Sequence, residues 1–128
     1  MTSPVLTDTL EVATPPQFPK GMDNICSPEH LLVAAVNSCL MTTFLAIAEN
    51  SKLEYVSFQS NAVGKREIVD GKYLISEIIL SPKLVIGNEA DKDRAYRVLQ
   101  KSEAACLISN SVKAKVIFNP EMVLPVMA

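Results

Sequence analysis

The hydrophobic pattern of the chain is dominated by one long apolar segment. Residues 31–48 (LLVAAVNSCLMTTFLAIA) contain no charged side chain. Ser27, Pro28 and Glu29 precede this run as a typical helix start, because serine caps the first turn, proline suits its first position and an acidic side chain favours the positive helix N-terminus. The pattern predicts a helix from Ser27 to about Asn50, apolar all round because other elements cover it.

Two alternating segments follow this helix and are rich in Val, Ile, Tyr and Phe. They span Glu54–Val63 and Lys72–Ile86. Asp70 and Gly71 lie between them and form the dipeptide that favours a tight hairpin turn. Pro82 indicates a bend or an edge position in the second segment, because proline cannot donate to a strand ladder.

The remaining elements predict the fold class. Periodic apolar residues indicate a second helix over Glu89–Ala105, and alternation with lysine indicates a half-exposed strand over Val112–Phe118. Upstream, Val5–Val12 is a candidate strand, whereas Thr14–Gly21 holds three prolines and predicts an irregular arm. This order predicts an α+β fold in which the long central helix packs against mostly antiparallel strands.

Length and charge narrow the class of protein. The 128 residues correspond to a single domain. With 12 Lys and Arg against 14 Asp and Glu, the net charge is −2, and no basic cluster is present. No nucleic-acid partner is expected, because binding to phosphates requires a concentrated positive surface.

The charge-free run has almost the length of a transmembrane helix, which needs about 20 apolar residues. Polar side chains interrupt it at Asn37, Ser38, Thr42 and Thr43, and neither a Lys/Arg cluster nor an aromatic belt flanks it. We therefore expect the core helix of a soluble domain, without a membrane partner. The N-terminus lacks the positive and apolar regions of a secretory signal, which predicts a cytoplasmic location.

Three cysteines carry the candidate chemistry: Cys26, Cys39 and Cys106. In a cytoplasmic chain they do not predict a disulfide framework. Cys39 and Cys106 each lie on or near a predicted helix, and are either small buried hydrophobic residues or a reversible dithiol pair. A zinc site would need all three together with His30, the only histidine. Because no Cys-x-x-Cys motif is present, no metal is expected.

The order of these features resembles the OsmC/Ohr family of thiol peroxidases. The two segments that carry the resemblance are SPEHLLVAAVNSCLMTTFLAIAENSKLEYVSF and GNEADKDRAYRVLQKSEAACLISNSVKAKVIF. They contain a Pro-Glu helix start, a cysteine ten residues after that Glu, and a second cysteine followed by a Ser-containing turn and the last strand. The resemblance implies one OsmC-like domain over residues 1–128, with a strand and arm over 1–26 and a core over 27–120.

The resemblance also implies roles for three residues. Cys39 matches the peroxidatic cysteine, which attacks a hydroperoxide and becomes a sulfenic acid. Cys106 matches the resolving cysteine, which condenses with that sulfenic acid to give a disulfide. Glu29 matches an acidic residue that orients an arginine beside the reactive thiol. No bound cofactor is implied, only an external thiol or dithiol reductant.

The family folds as an intertwined homodimer with its active sites at the subunit interface, and one distance in this chain agrees with that. Glu29 and Cys39 lie ten residues apart on one predicted helix, which separates their backbones by about 15 Å along its axis. They can share a site only if two copies of the helix pack antiparallel. We therefore expect a homodimer.

Activation of Cys39 is the point at which this chain departs from the family. The macrodipole of a helix acts mainly on its first turn, so a cysteine in mid-helix needs a cation from elsewhere to form its thiolate. The family supplies an arginine upstream of the helix. Here the first arginine is Arg66, and only Lys20 precedes the helix. The candidate cations are therefore Lys20, Lys65 and Arg66, and the alternative is that no cation activates Cys39.

Three functions remain open. The resemblance predicts thiol-dependent reduction of hydroperoxides, with organic hydroperoxides preferred, through Cys39 and Cys106. The missing arginine favours an alternative, an OsmC-like protein with weak or no peroxidase activity that binds a small apolar ligand at the dimer interface. The third possibility is a purely structural interaction domain with buried thiols.

Overall fold

The computed structural model describes Thr7, residues 9–13 and residues 27–124. Its helices and strands are α1 (Pro28–Asn50), β1 (Ser57–Val69), β2 (Lys72–Val85), α2 (Lys92–Ala104), β3 (Lys115–Phe118) and β4 (Glu121–Val123). Short 3-10 turns precede α2 and β3. The predicted α+β class is thus confirmed. In the described part of the predicted N-terminal strand, Val12 alone makes a strand-like bridge, and the predicted arm lies outside the described residues.

Helix α1 begins where the sequence predicts because Ser27 and His30 cap it reciprocally. The backbone N–H of His30 donates to Ser27 Oγ at 3.2 Å, and the backbone N–H of Ser27 donates to His30 Nδ1 at 3.1 Å. Two amide groups that the helix itself leaves without partners are satisfied in this way. The single histidine of the chain therefore has a structural role at the helix start.

The predicted hairpin is confirmed by its turn. Asp70 and Gly71 have φ angles of 51° and 77°, the positive values that a two-residue turn of type I′ requires. β1 and β2 pair antiparallel along their whole length, from Ser57 opposite Val85 to Val69 opposite Lys72. This long hairpin provides most of the sheet.

Strand β2 lies at the centre of the sheet, with β1 along one edge and the two short strands along the other. β3 pairs parallel to residues 77–80 and β4 pairs parallel to residues 83–85. Pro82, for which a bend or an edge position was predicted, is buried inside this central strand. It falls in the interval between the two short strands, where a missing backbone N–H interrupts no ladder.

One stripe of α1 forms the core of the chain. Its fully buried residues recur every four positions, as expected for one face of a helix: Val36, Leu40, Phe44 and Ala48. The N-terminal half of the stripe packs on Ile78 and Leu80 of β2. The C-terminal half packs on Leu84 and on α2, through Ala95, Val98 and Leu99. The two helices are thereby held against each other and against the sheet.

The residues that the structure describes do not fully cover the other faces of α1, whereas its uniformly apolar sequence predicts cover on all sides. Leu32 and Leu45 expose 37% and 50% of their surfaces. By length and composition α1 would suffice to cross a membrane, the only such helix in the described part of the chain. The apolar surface of α1 thus exceeds what the described residues bury.

A polar contact fixes α1 on the sheet beside the apolar stripe. Asn37 Nδ2 donates to the carbonyl oxygen of Ser60 on β1 at 2.9 Å, and Ser60 Oγ donates back to Asn37 Oδ1. Both donors are satisfied within the protein, so the partly buried amide costs little. Asn37 precedes Cys39 by two positions, so this contact also positions the segment that carries the thiol.

The close approach of α1 to β1 generates a stability prediction. A Cβ at Gly64 would lie 2.6 Å from Val33 Cγ2, closer than real contacts allow. We expect Gly64→Ala to lower the free energy of unfolding by about 1–3 kcal/mol, the usual cost of overpacking, measured by urea denaturation. At Gly87 the nearest atom to an added Cβ, Val56 Cγ2, is 3.8 Å away, so Gly87→Ala is the matched control.

Adding Val33→Ala to Gly64→Ala should recover part of that loss, because the colliding methyl group is removed. If Gly64→Ala and Gly87→Ala had the same urea midpoint as the unsubstituted protein, the close packing of α1 on β1 would be contradicted.

Candidate active site

The structure brings Cys39 and Cys106 together. Cys39 lies in the middle of α1, and Cys106 lies just after the end of α2, so the packing of the two helices sets their separation. Both are free thiols, and each side chain is close enough to shift the pKa of the other. Two cysteines 67 positions apart in the sequence thus form one dithiol site.

Cys106 is the inner thiol of the pair. It has 0% of its surface exposed. Its Sγ lies 3.9 Å from the carbonyl oxygen of Val36 on α1, and Ser109 Oγ donates to the same Sγ at 3.1 Å. Burial raises the pKa of Cys106 above its ordinary value, and the bonds from Ser109 reduce this rise. The inner thiol is therefore protonated and shielded from solvent at neutral pH.

Cys39 is the outer thiol and is partly exposed. Backbone hydrogen bonding by Ile108 is the main cause that lowers its pKa, opposed by partial burial. Further lowering comes from the Cys106 thiol, from Thr43, whose Oγ1 lies 3.9 Å from Cys39 Sγ, and from the backbone of Leu107. Hydrogen bonds to the thiolate stabilise it relative to the thiol. Cys39 is therefore the thiol that ionises first.

The Cys106 turn, residues 106–111, supplies most of these contacts. Cys106 N–H donates to the carbonyl oxygen of Glu103, and Asn110 N–H donates to that of Cys106, so the chain reverses directly after α2. Because of this reversal, the backbone of residues 107 and 108 meets Cys39 while Ser109 meets Cys106. One short segment therefore affects both thiols: its backbone lowers the pKa of Cys39, and Ser109 donates to Cys106.

The S–H group of Cys106 has two possible acceptors, the carbonyl oxygen of Val36 and the sulfur of Cys39. A thiol carries a single proton and can serve only one of them at a time. When Cys39 is a thiolate, its negative charge makes it the stronger acceptor. The buried thiol thus stabilises the charged form of its neighbour.

The two candidate cations in the described part of the chain do not contribute to the pKa of Cys39. Lys65 pairs with Glu67 on the surface of β1, with 3.0 Å between Nζ and Oε1. Neither Lys65 nor Arg66 is among the groups that shift the pKa of Cys39. Lys20 lies outside the described residues. In the described part of the chain, the pKa of Cys39 is lowered by backbone, hydroxyl and thiol groups and not by a cation.

Two other predicted residues are separate from the dithiol. Glu29 is on the first turn of α1 and is partly buried. It is ten residues before Cys39, about 15 Å along the helix axis, so one chain does not place it beside the thiol. Cys26, considered for a zinc set, lies outside the described residues.

Sequence reasoning missed the backbone of the Cys106 turn, together with Thr43 and Ser109. Thr43 follows Cys39 by four positions on a helix, a spacing that places two side chains on the same face. That signal was readable from the sequence. The backbone donors could not be read from the sequence, because nearly every residue type has a backbone N–H. Only the three-dimensional path of the turn determines which of them lies near a sulfur.

Comparison with known proteins agrees with this fold. Residues 21–121 match the family described as OsmC-like protein. The chain therefore belongs to the OsmC-like family.

Individual relatives are more distant. The uncharacterized protein YmaD of Bacillus subtilis is 29% identical, over 77% of this chain and 70% of that protein. A structure of an OsmC-like protein of unknown function from Vibrio cholerae is 27% identical, covers 84% of this chain and 73% of its own, and superposes with a TM-score of 0.73.

An organic hydroperoxide resistance protein OsmC from Legionella pneumophila shares the fold at 17% identity, with a TM-score of 0.71 over 89% of this chain and 80% of its own. The predicted family and fold class are confirmed by these comparisons. At this identity the likeness extends to the fold alone.

The hydrogen bonds at Cys39 generate a pH prediction, made in a Cys26→Ser background so that two thiols remain. We expect the alkylation rate of Cys39 by iodoacetamide to rise through a pKa below that of an ordinary cysteine. Thr43→Val or Cys106→Ala should raise that pKa and slow alkylation at pH 7 by about two- to tenfold, the worth of one hydrogen bond. Peptide mapping by mass spectrometry gives the rate at each cysteine.

Thr42→Val is the matched control, since Thr42 Oγ1 donates to the carbonyl oxygen of Cys39 and not to its sulfur. It should leave the pH profile unchanged. Equal profiles for Thr43→Val and the unsubstituted protein would show that the Thr43 hydroxyl does not stabilise the thiolate.

Proposed function

We propose that the protein reduces hydroperoxides, with Cys39 as the attacking thiol and Cys106 as the resolving thiol. The observation that carries the proposal is the asymmetry of the pair: the outer thiol has a lowered pKa and the inner thiol is buried with a raised pKa. Attack requires an accessible thiolate, whereas resolution requires a neighbouring thiol that is shielded from oxidation.

The chemistry balances with the two thiols and one hydroperoxide. The Cys39 thiolate attacks the terminal oxygen of R–O–O–H, the O–O bond breaks, and the alkoxide leaves and takes up a proton as ROH. Cys39 becomes a sulfenic acid. The Cys106 sulfur then attacks the sulfenic sulfur, the S–O bond breaks, and water leaves with the proton of the thiol. The product is a Cys39–Cys106 disulfide, which an external thiol or dithiol reduces.

Two further points support this function. Relatives of this fold from Legionella pneumophila and Elizabethkingia anophelis are named organic hydroperoxide resistance proteins. In addition, two neighbouring thiols are kept reduced most readily in a reducing compartment such as the cytoplasm. We therefore propose an oxidoreductase of the cytoplasm that needs no bound cofactor.

A preference for organic hydroperoxides rests on Leu107. Its backbone contributes to the lowered pKa of Cys39, while its side chain exposes 67% of its surface. An apolar group next to the attacking sulfur would contact the organic part of R–O–O–H and gain free energy from the area buried. The same surface would serve the alternative, binding of a small apolar ligand without peroxidase activity, and thiol counting separates the two functions.

We also propose that the protein acts as a homodimer. α1 leaves Leu32 and Leu45 exposed on a helix whose fully buried stripe covers one face only. A second copy could bury this surface and would also bring Glu29 near the partner's dithiol site if the helices pack antiparallel. Exposed apolar surface of this kind is typical of a protein interface.

The peroxidase proposal predicts the thiol count after oxidation, again in a Cys26→Ser background. One equivalent of cumene hydroperoxide should remove both remaining thiols. Cys106→Ser should lose the Cys39 thiol and, with excess peroxide, proceed to the sulfinic acid, because no resolving thiol is present. Cys39→Ser should lose none. Free thiols are counted with a chromogenic disulfide, and hydrogen peroxide should react more slowly than cumene hydroperoxide.

Retention of both thiols after stoichiometric cumene hydroperoxide would overturn the peroxidase proposal and leave the ligand-binding alternative. Equal rates with the two peroxides would remove the organic preference alone.

The dimer proposal predicts the mass in solution. Each chain has a mass of 13.9 kDa, and light scattering after gel filtration, without detergent, should give about twice that value. Leu45→Lys should shift the equilibrium towards the monomer, because it would place a charge in an apolar interface. Leu45→Met keeps the apolar surface and should remain dimeric. A monomer at all concentrations, or a protein recovered only in detergent, would contradict the proposal.

A further inference from the structure

The disulfide of the proposed cycle contains two unequal sulfur atoms, and this inequality determines how it is reduced. A reductant can attack either sulfur, and the other sulfur then leaves as a thiolate. The inference rests on the dithiol pair of the proposed function but concerns a different step. That step is the attack of the external thiol on one of the two sulfur atoms.

The two sulfur atoms differ in their exposure to solvent. Thiol–disulfide exchange requires the nucleophile to approach the sulfur that it attacks. Cys106 has no exposed surface, being enclosed by α1 through the Val36 carbonyl and by Ser109. Cys39 is partly exposed at the surface of the same chain. A second copy of the chain can cover more surface but cannot uncover any, so the shielding of Cys106 holds in a dimer too.

Leaving-group chemistry acts in the opposite direction. The thiol with the lower pKa is the better leaving group, and by that criterion Cys39 would leave and Cys106 would be attacked. Ser109 reduces this disadvantage, because its hydroxyl donates to Cys106 Sγ at 3.1 Å and so stabilises a thiolate there. Access is the stronger criterion, since attack on a fully enclosed sulfur requires the structure to open first.

We propose that the external thiol attacks Cys39, and that Cys106 leaves as a thiolate held by the Ser109 hydroxyl. In this step the RS⁻ nucleophile forms an R–S–S–Cys39 bond, the Cys39–Cys106 bond breaks, and its electron pair goes to Cys106, which then takes up a proton. The second thiolate of a dithiol reductant attacks the reductant's own sulfur in the mixed disulfide. Cys39 leaves as a thiolate, stabilised by the Cys106 turn, and the cycle closes.

Ser109 is a catalytic residue of this step because it touches a reacting atom. Its neighbour Ser111 lies in the same 3-10 turn, but Ser111 Oγ donates to the carbonyl oxygen of Leu107 at 2.8 Å and does not contact either sulfur. The two serines therefore form a matched pair for substitution. Each substitution removes one hydroxyl donor from the turn, and only the removal at Ser109 takes a donor from the leaving sulfur.

The direction of attack is tested by trapping the mixed disulfide in the Cys26→Ser protein. The disulfide is formed with cumene hydroperoxide, or with diamide if the peroxide does not react, and is then exposed briefly to 2-mercaptoethanol. After acid quenching and N-ethylmaleimide labelling, peptide mapping should place mercaptoethanol on Cys39 and maleimide on Cys106. Mercaptoethanol on Cys106 would overturn the proposal.

The two proposals fail in different ways. If diamide alone forms the disulfide and mercaptoethanol is found on Cys39, the peroxidase proposal fails while the direction of reduction stands. If neither oxidant forms the disulfide, both fail. Access is measured independently with single-thiol proteins and a bulky aromatic disulfide. The protein that retains Cys106 alone should react at least tenfold more slowly than the protein that retains Cys39 alone, and equal rates would contradict the shielding.

The role of Ser109 is tested by the rate at which 2-mercaptoethanol reduces the preformed disulfide. Ser109→Ala should slow reduction by about two- to tenfold, the worth of one hydrogen bond to the leaving group. Ser109→Thr, which keeps a hydroxyl, should restore the rate, and Ser111→Ala should leave it unchanged. Urea midpoints for all variants separate a change in folding from a change in chemistry. Equal rates for Ser109→Ala and Ser111→Ala would remove Ser109 from the step.

Discussion

The packing of the buried stripe of α1 against β2 and α2 is the interaction on which the rest of the structure depends. This stripe contains no polar side chain, with Val36, Leu40, Phe44 and Ala48 at intervals of four. Cys39 lies on α1 next to this stripe. Cys106 follows the end of α2 and is fully buried. Hydrophobic burial, which is not directional, thus fixes the separation on which the proposed redox chemistry depends.

The two thiols obtain opposite properties from the same few contacts. Burial acts on Cys106 and raises its pKa, whereas the backbone of the following turn acts on Cys39 and lowers its pKa. A cation would stabilise a thiolate over several ångströms, but a backbone N–H must be aimed at the sulfur. In the described part of the chain, the lowered pKa of Cys39 therefore depends on the geometry of hydrogen-bond donors, and a small change of the turn would alter the reactivity of this thiol.

The sequence predicted features that depend on local chemistry, but it did not reveal the details that arise where distant segments meet. The start of α1 at Ser27 and Pro28 and the turn at Asp70 and Gly71 follow from a few adjacent residues, and the structure has both. The uncovered faces of α1 and the parallel β3 depend on what the rest of the chain does. The same holds at the site, where both cysteines were identifiable but the main contribution to the lowered pKa of Cys39 comes from Ile108, 69 residues further along.

The polar contact between Asn37 and Ser60 has a consequence for the rotational phase of α1. Each residue turns a helix by about 100°, so a shift of one residue would carry Cys39 away from the Cys106 turn. Apolar side chains alone tolerate small rotations because their attraction is not directional. A reciprocal amide–hydroxyl pair does not, since both of its hydrogen bonds would be lost together. Asn37 and Ser60 thereby fix the rotation of α1 about its own axis, and this rotation determines where the Cys39 sulfur lies.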